Sequence, residues 1–279
     1  MPAIQDLRKT YHRAICRQVI YLKAGNKPSM ADVASSLSVE LARGLVRRLG
    51  YPTSKTPVDG QTAGSLLEQI TRDFLEEAFS LLRHLRPGQW QFSVHGNLAD
   101  FDQYKHLAEL ADLVEANKEL RIALGDYVIK PDILVSRQPV LDSEINRNQT
   151  IVNESDPPKH TPFRATNLSA PTLHASISCK WTLRSDRAQN ARTEGLNLIR
   201  NRKGHAPHIA VITGEPLPNR IASLAMGTGD IDCVYHFALH ELVEAANAID
   251  NEAVTEMLDT LVQGRRLRDI ADLPFDLAL

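Results

Sequence analysis

Apolar residues in the first part of the chain recur every three or four positions, the period of an amphipathic helix. Ile4, Leu7, Tyr11, Ile15 and Ile20 form one stripe and predict a helix over residues 4–22. Residues 25–31 break it, and a second helix is expected over 37–49, closed by Gly50 and Pro52. A polar turn at 57–61 leads into a long helix over about 64–85. Its core face is expected to carry Leu67, Ile70, Phe74, Ala78, Leu81 and Leu85, with Glu68 flanking it and Pro87-Gly88 ending it. Residues 101–123 read as another helix, with Leu107, Leu110, Leu113, Val114 and Leu120 inward and Gly125 as its stop.

The period then changes. Residues 89–94 make a short strand candidate, and 127–135 a longer one in which Pro131 marks a sheet edge or a bulge. Residues 142–171 are polar and rich in proline, with little periodicity, as in a long surface excursion or a partner arm. In the stretch 174–202, Ala175, Ile177, Cys179 and Trp181 alternate with Ser176, Ser178 and Lys180, which predicts a buried strand. A helix follows it from about Ser185 and Asp186, both good cap residues, and stops at Gly204. Another apolar strand is expected over 208–213, so the two strands should be parallel and joined by a right-handed crossover. One more strand over 231–237 and helices over 238–262 and 265–271 complete an α/β chain. We expect a single domain over 1–279: a helical part to about residue 60, a core over about 61–240, and C-terminal helices over 241–279.

Composition narrows the class. The chain has 279 residues, 43% hydrophobic and 24% charged, the balance of an ordinary globular protein. Its formal net charge of −2 means that any nucleic-acid surface is a local patch and not a global excess. Cys16, Cys179 and Cys233 are odd in number and lack metal-ligand spacing, which fits a reducing cytoplasm. No apolar signal core or membrane-length run is present, so no membrane association is expected.

Lys180 is the residue that most needs an explanation, because an ammonium on a buried strand is costly unless anions meet it. Two carboxylates stand at suggestive distance: Asp132, with 46 residues between it and Cys179, and Glu194, fourteen residues after Lys180. Carboxylates that hold Mg²⁺ and a lysine beside the attacking water are what metal-assisted phosphodiester hydrolysis requires. Asp, Lys and Glu are common, and a solvated lysine with a helix-face glutamate would satisfy the spacing alone; the alternating strand weighs against that. Arg184 and Arg187 lie at a helix start, where the macrodipole disfavours cations, so helix stability does not account for them. A guanidinium fork fits the O6/N7 edge of guanine, and a carboxylate such as Asp186 accepts from the cytosine amino group.

Taken together, Pro131-Asp132, the interval, Cys179-Lys180 and then Glu194 resemble the PD-(D/E)xK nuclease family. More narrowly they resemble the type II restriction endonucleases that read CCGG-centred sites, and in particular NgoMIV-like enzymes. The stretch SISCKWTLRSDRAQNARTEGLNLIRNRKG over 176–204 is close to a signature of these. The likeness continues at 59–68, 85–90, 131–137, 144–148, 227–239 and 264–279, and is weakest over 1–50 and 150–170. It implies a restriction-endonuclease-like core, a central mixed β-sheet flanked by helices. One departure from the wider superfamily is Ser178, where an acid usually stands two residues before the lysine; in this subgroup Glu194 supplies that carboxylate.

The resemblance implies a catalytic set of Asp132, Lys180, Glu194 and Glu68. Asp132, Glu194 and the backbone carbonyl of Cys179 would hold metal, with Glu68 acting indirectly. Two Mg²⁺ per site are implied. Arg184, Asp186 and Arg187 match an R-x-D-R element that reads CCGG. Asp32 and Arg220 would read a flanking G·C pair and Gln61 the minor groove, although Ala34 replaces a serine that accompanies Asp32. The implied reaction is cleavage of double-stranded DNA after the first G of GCCGGC by a homotetramer of two dimers, paired in the cell with a cognate DNA methyltransferase. A DNA-binding module without cleavage, and a zinc hydrolase built on His236 and His240, are the alternatives. The second lacks an obvious third ligand. Cys179 falls on the apolar face and reads as packing, not as a nucleophile.

Overall fold

Six strands form the sheet against which the predicted apolar stripes pack. The computed structural model describes residues 3–124, 131–155, 157–227 and 229–279. The N-terminal part comprises α1 (Ala3–Gln18), a small antiparallel hairpin of β1 (Leu22–Lys23) and β2 (Lys27–Pro28), and α2 (Ser36–Leu49). It ends with α3 (Gly60–Leu81). Ser35 caps α2 by accepting from Ser38 N–H, and Gly50 closes it in the left-handed conformation at φ 70°. Asp59 caps α3, which therefore starts four residues earlier than its apolar stripe suggests.

The sheet follows in the order β3 (Trp90–Val94), β4 (Ile133–Arg137), β5 (Thr172–Lys180), β6 (His208–Thr213), β7 (Cys233–His236) and β8 (Leu267–Asp269). The first two pairings are antiparallel and the remaining three parallel, so the sheet is mixed as expected. Between β3 and β4 lie two 3₁₀ turns and the helices α4 (Ala108–Ala116) and α5 (Lys118–Leu124). The excursion before β5 contains α6 (Asp142–Ile145). The crossover from β5 to β6 runs through α7 (Ser185–Asn201), and α8 (Pro218–Ala225) joins β6 to β7. Helices α9 (Leu239–Asn247), α10 (Glu252–Gln263) and α11 (Leu273–Asp276) surround β8. No helix of the described residues is long and apolar enough to cross a membrane.

Some expected elements are corrected. Residues 265–271 are not a helix: β8 lies there and extends the sheet beside β7. Leu267, Ile270 and Leu273 have helical spacing, but an open parallel edge offers more backbone hydrogen bonds than an isolated turn would. The helix expected over 101–123 is broken into a 3₁₀ segment at Asp102–Leu107 and two short helices, and Leu113 is exposed. Leu81 and Leu85 are exposed as well, because α3 ends at Leu81 and Leu82 turns inward instead. The strand expected over 127–135 starts at Ile133; residues 125–130, including the Gly125 stop, lie outside the described residues. The excursion at 142–171 is pinned by Arg164, which is buried and pairs with Asp142 (2.5 Å).

A second buried ion cluster ties the chain's two ends together. Arg8 on α1 donates to Asp269 at the end of β8 (2.7 and 2.8 Å) and to Glu241 on α9 (2.7 and 2.8 Å). Asp269 is only 1% exposed. Burial pushes its carboxyl up, but the hydrogen bonds and charge of Arg8 overcome this and hold it below the ordinary value of 3.8. Glu241 is held below 4.5 by the same competition. Arg8→Ala leaves a buried carboxylate without its cation and is expected to cost about 3–5 kcal/mol in urea unfolding at neutral pH. Because both folded-state values are depressed, the contribution is present above pH 4.5 and is lost as pH falls through them. The acid-side decline in stability should accordingly be shallower in Arg8→Ala.

Candidate active site

The site forms where strand ends gather. Lys180, Thr213, His236 and Asp269 are aligned by the strand register across β5, β6, β7 and β8, at the carboxyl ends of all four. Open parallel sheets bind ligands outside this edge. On the other side of β5, antiparallel β4 brings its N-terminal end to the same edge, so Asp132 arrives beside Cys179 and Lys180. Asp132 Oδ2 accepts from Cys179 N–H (2.7 Å) and from Lys180 Nζ (3.0 Å). Glu194, three turns into α7, places Oε2 at 4.0 Å from the same Nζ. Ser178 holds it there, donating its hydroxyl to Oε2 at 2.7 Å. The Ser178 hydroxyl thus fixes the orientation of the Glu194 carboxylate.

These three side chains are shielded but reachable, at 16% exposure for Lys180, 17% for Asp132 and 29% for Glu194. Burial lowers the lysine's proton affinity, yet Asp132 and Glu194 outweigh it and the pKa rises above 10.5. The group is a fixed ammonium at neutral pH and has no lone pair with which to take a proton. The Cys179 thiol is pushed well up by burial and by Asp132 and Glu68, so it stays protonated and serves packing.

Glu68 projects from α3 toward the same place. It is buried, and its carboxyl is raised by burial and by Asp132, against the pull of His95 and Lys180. His95 lies just past β3 with a positive φ of 57°, its Nε2 3.0 Å from Glu68 Oε2 and its N–H donating to the Asp132 carbonyl (3.3 Å). Neither His95 nor the Ser178 contact was foreseen; a histidine before a glycine after a strand carries no distinctive pattern. His236 is fully buried on β7, and burial lowers its pKa to about 4, while His240 is exposed on α9. A zinc pair on one helix face is ruled out by that placement.

The candidate base readers fall into two groups joined by charge. Arg184, Asp186 and Arg187 are exposed at the start of α7, and Arg187 donates to Thr182 Oγ1 (3.1 Å). Arg184 is the N-cap residue, and Asp186 falls in the first turn. Arg220 on α8 and Asp32 are far apart in sequence but form an ion pair. The Arg220 contact, the Ala34 N–H and the charge of Arg184 hold Asp32 below its ordinary value, in spite of some desolvation. Ala34 supplies that N–H at 3.1 Å to Oδ1. Gln61 is exposed at the start of α3, and among the described residues no hydrogen bond or ion pair ties its side chain to the other five.

A mixed sheet that presents an aspartate and a lysine from adjacent strands, completed by a glutamate from the following helix, defines a restriction-endonuclease-like protein of the PD-(D/E)xK class. The particular family follows from comparison. A family model described as NgoMIV restriction enzyme matches residues 11–279. The chain is also 46% identical over 286 residues to the type II restriction enzyme NgoMIV of Neisseria gonorrhoeae, covering 100% of this chain and 99% of that protein. The chain belongs to the NgoMIV restriction enzyme family and is a site-specific deoxyribonuclease.

Because two carboxylates sustain the Lys180 ammonium, neutralising the nearer one should loosen its proton. Asp132→Asn is expected to lower the Lys180 pKa, read by NMR titration of the lysine side chain; an unchanged value would mean that the pair does not hold in solution.

Proposed function

We propose that the protein cleaves double-stranded DNA at GCCGGC, after the first G, in a Mg²⁺-dependent reaction that leaves four-base 5′ CCGG overhangs. The observation that carries this reading is the Asp132–Lys180–Glu194 cluster, whose lysine stands four residues before Arg184 and six before Asp186 at the start of α7. A nuclease that cuts where it reads needs those two functions at fixed separation.

The donor set suits a hard divalent ion. Among the described residues no three His, Cys, Asp or Glu side chains gather closely enough to cage a metal ion unaided. Mg²⁺ does not require a cage; it typically takes one or two carboxylates and completes its shell with water and substrate phosphate. Asp132 Oδ1 and Glu194 Oε1 have no hydrogen-bond partner among the described residues, which leaves an oxygen on each carboxylate for such an ion. Buried Glu68 Oε2 faces the His95 ring, with Nε2 at 3.0 Å. Asp132, Glu194 and the Cys179 carbonyl would hold the metal, Glu68 would act indirectly, and we place two ions per site. The bound cation supplies Lewis-acid polarisation of the phosphate and eases ionisation of water at neutral pH.

Lys180, already charged, orients the attacking water and stabilises the negative charge that builds on the phosphate. Water attacks phosphorus, the bond to O3′ breaks, and the products carry a 5′-phosphate and a 3′-hydroxyl. Arg184, Asp186 and Arg187 read the two C·G pairs of a half-site, and two-fold symmetry completes CCGG. The Asp32–Arg220 pair supports the outer G·C reading: a carboxylate and a guanidinium side by side match the amino donor of cytosine next to the acceptors of guanine. Gln61 would reach the minor groove. We further propose a homotetramer of two dimers that engages two sites at once, acting in the cytoplasm with a cognate methyltransferase as its cellular counterpart.

Lys180→Ala is expected to abolish cutting while site-specific binding persists in Ca²⁺; normal cutting by this variant would move the active site elsewhere. Digestion of plasmids bearing one or two GCCGGC sites, with sequencing of the ends, tests the rest. Cutting at that site, faster on the two-site plasmid, supports the outer pair and the tetramer. Cutting at every CCGG hexamer would remove Asp32 and Arg220 from base reading, and site-specific binding without any cutting would leave a DNA-binding module.

A further inference from the structure

Two loops leave neighbouring parallel strands at the active edge. One, residues 181–184, leads from β5 into the helix that bears Arg184, Asp186 and Arg187. The other, residues 214–217, leads from β6 into the helix that bears Arg220. Glu215 lies between them at 0% exposure. Its Oε2 accepts from Leu183 N–H (2.9 Å), one residue before Arg184. Its Oε1 accepts from Leu217 N–H (3.2 Å), the residue that precedes α8. Its own N–H donates to Thr213 Oγ1 (3.2 Å).

The loops also touch directly. Gly214 N–H donates to the Trp181 carbonyl (3.0 Å), and a Cβ at Gly214 would stand 2.4 Å from the Trp181 ring. The Arg220 guanidinium, while paired with Asp32, stands 3.8 Å from Glu215 Oε2. Among the described residues Glu215 makes no hydrogen bond or ion pair with Asp132, Lys180, Glu194 or Glu68. A carboxylate taken wholly out of water is expensive unless paired and hydrogen-bonded, and a chain needing only stability does better with an apolar residue. This one spends its two oxygens on one N–H from each reading loop.

We propose that Glu215 is a specificity-positioning residue, which locks the loop before the inner readers to the loop before the outer reader so that CCGG and its flanking G·C pair are read as one unit. The inference rests on the base-reading roles proposed above. Glu215 itself touches no base; it acts through the backbone at Leu183 and Leu217 and through the charge beside Arg220.

The test compares kcat/KM on GCCGGC, ACCGGT and GCTAGC for the full-length protein with Mg²⁺, in Glu215→Gln, Arg220→Ala and Arg187→Ala. Glutamine accepts through one oxygen only, so one loop N–H loses its partner. Glu215→Gln is expected to relax discrimination against both altered sites together, by roughly tenfold each. Arg220→Ala should relax it against ACCGGT alone, and Arg187→Ala against GCTAGC alone. Combining Glu215→Gln with Arg220→Ala should cost no further discrimination at the outer pair, the mark of shared action. Glu215→Asp keeps the charge but is one methylene too short to span both loops; it should behave like Glu215→Gln and serves if that variant folds poorly. Equal losses on all three sites, with only a lowered melting temperature, would make Glu215 purely structural and overturn the proposal while base reading stands. Unchanged discrimination in both arginine variants would overturn base reading, and the proposal with it.

Discussion

A lysine at the inner end of a buried strand has to be met by anions, and much of the architecture follows from meeting that requirement at Lys180. The antiparallel pairing of β4 with β5 delivers Asp132 at 3.0 Å, and the fold-back of α7 across the sheet delivers Glu194 at 4.0 Å. Removing one partner from such a cluster typically costs about 3–5 kcal/mol. The three charges therefore depend on one another and on the core that holds them in place. That core runs unbroken through both faces of the central strands: Ile133, Leu134 and Val135 on β4, Ala175 and Ile177 on β5, and Val211 and Ile212 on β6 are all fully buried.

The other end of the same edge is governed by a similar bargain. Arg8 draws α1 onto Asp269 and Glu241, so the first helix is fastened to the last strand by charge, while Tyr11 on that helix meets Phe74 and Thr71 of α3 through ring contact and hydroxyl. Polar clusters thus cap both sides of the carboxyl edge, and the row from Lys180 to Asp269 is fixed at each end. Site groups anchored in this way before substrate arrives are the basis of electrostatic preorganisation.

Much of this was legible from residue order because the physics was local or periodic. Alternation over Ala175–Trp181 identified the strand, Gly50 marked the left-handed end of α2, and the uncompensated Lys180 pointed to anions. What escaped did so for identifiable reasons. The short strand Leu267–Asp269 has spacing that suits a helix equally, and only the free edge of β7 decides between them. The 3₁₀ turns near Tyr104 share nearly the helical period, so a stripe there cannot reveal the break. Glu215 reads as an ordinary surface acid beside a glycine and a proline; nothing local says that two loops close over it. His95 and Ser178 matter through neighbours distant in sequence, at Glu68 and Glu194.

Strand β5 ends in the lysine and passes within four residues into Arg184, and successive residues of a strand face opposite ways. A single inserted or deleted residue between Ile177 and Arg184 would therefore turn one of the two functions through the sheet while leaving the other in place. In the proposed reading, the offset between the bases recognised and the bond cut is written into this peptide as a whole number of residues. On that reading, changed side chains at the start of α7 would alter letters of the target while the cleavage position stayed put, in the way that a ruler's graduations survive repainting of its numerals.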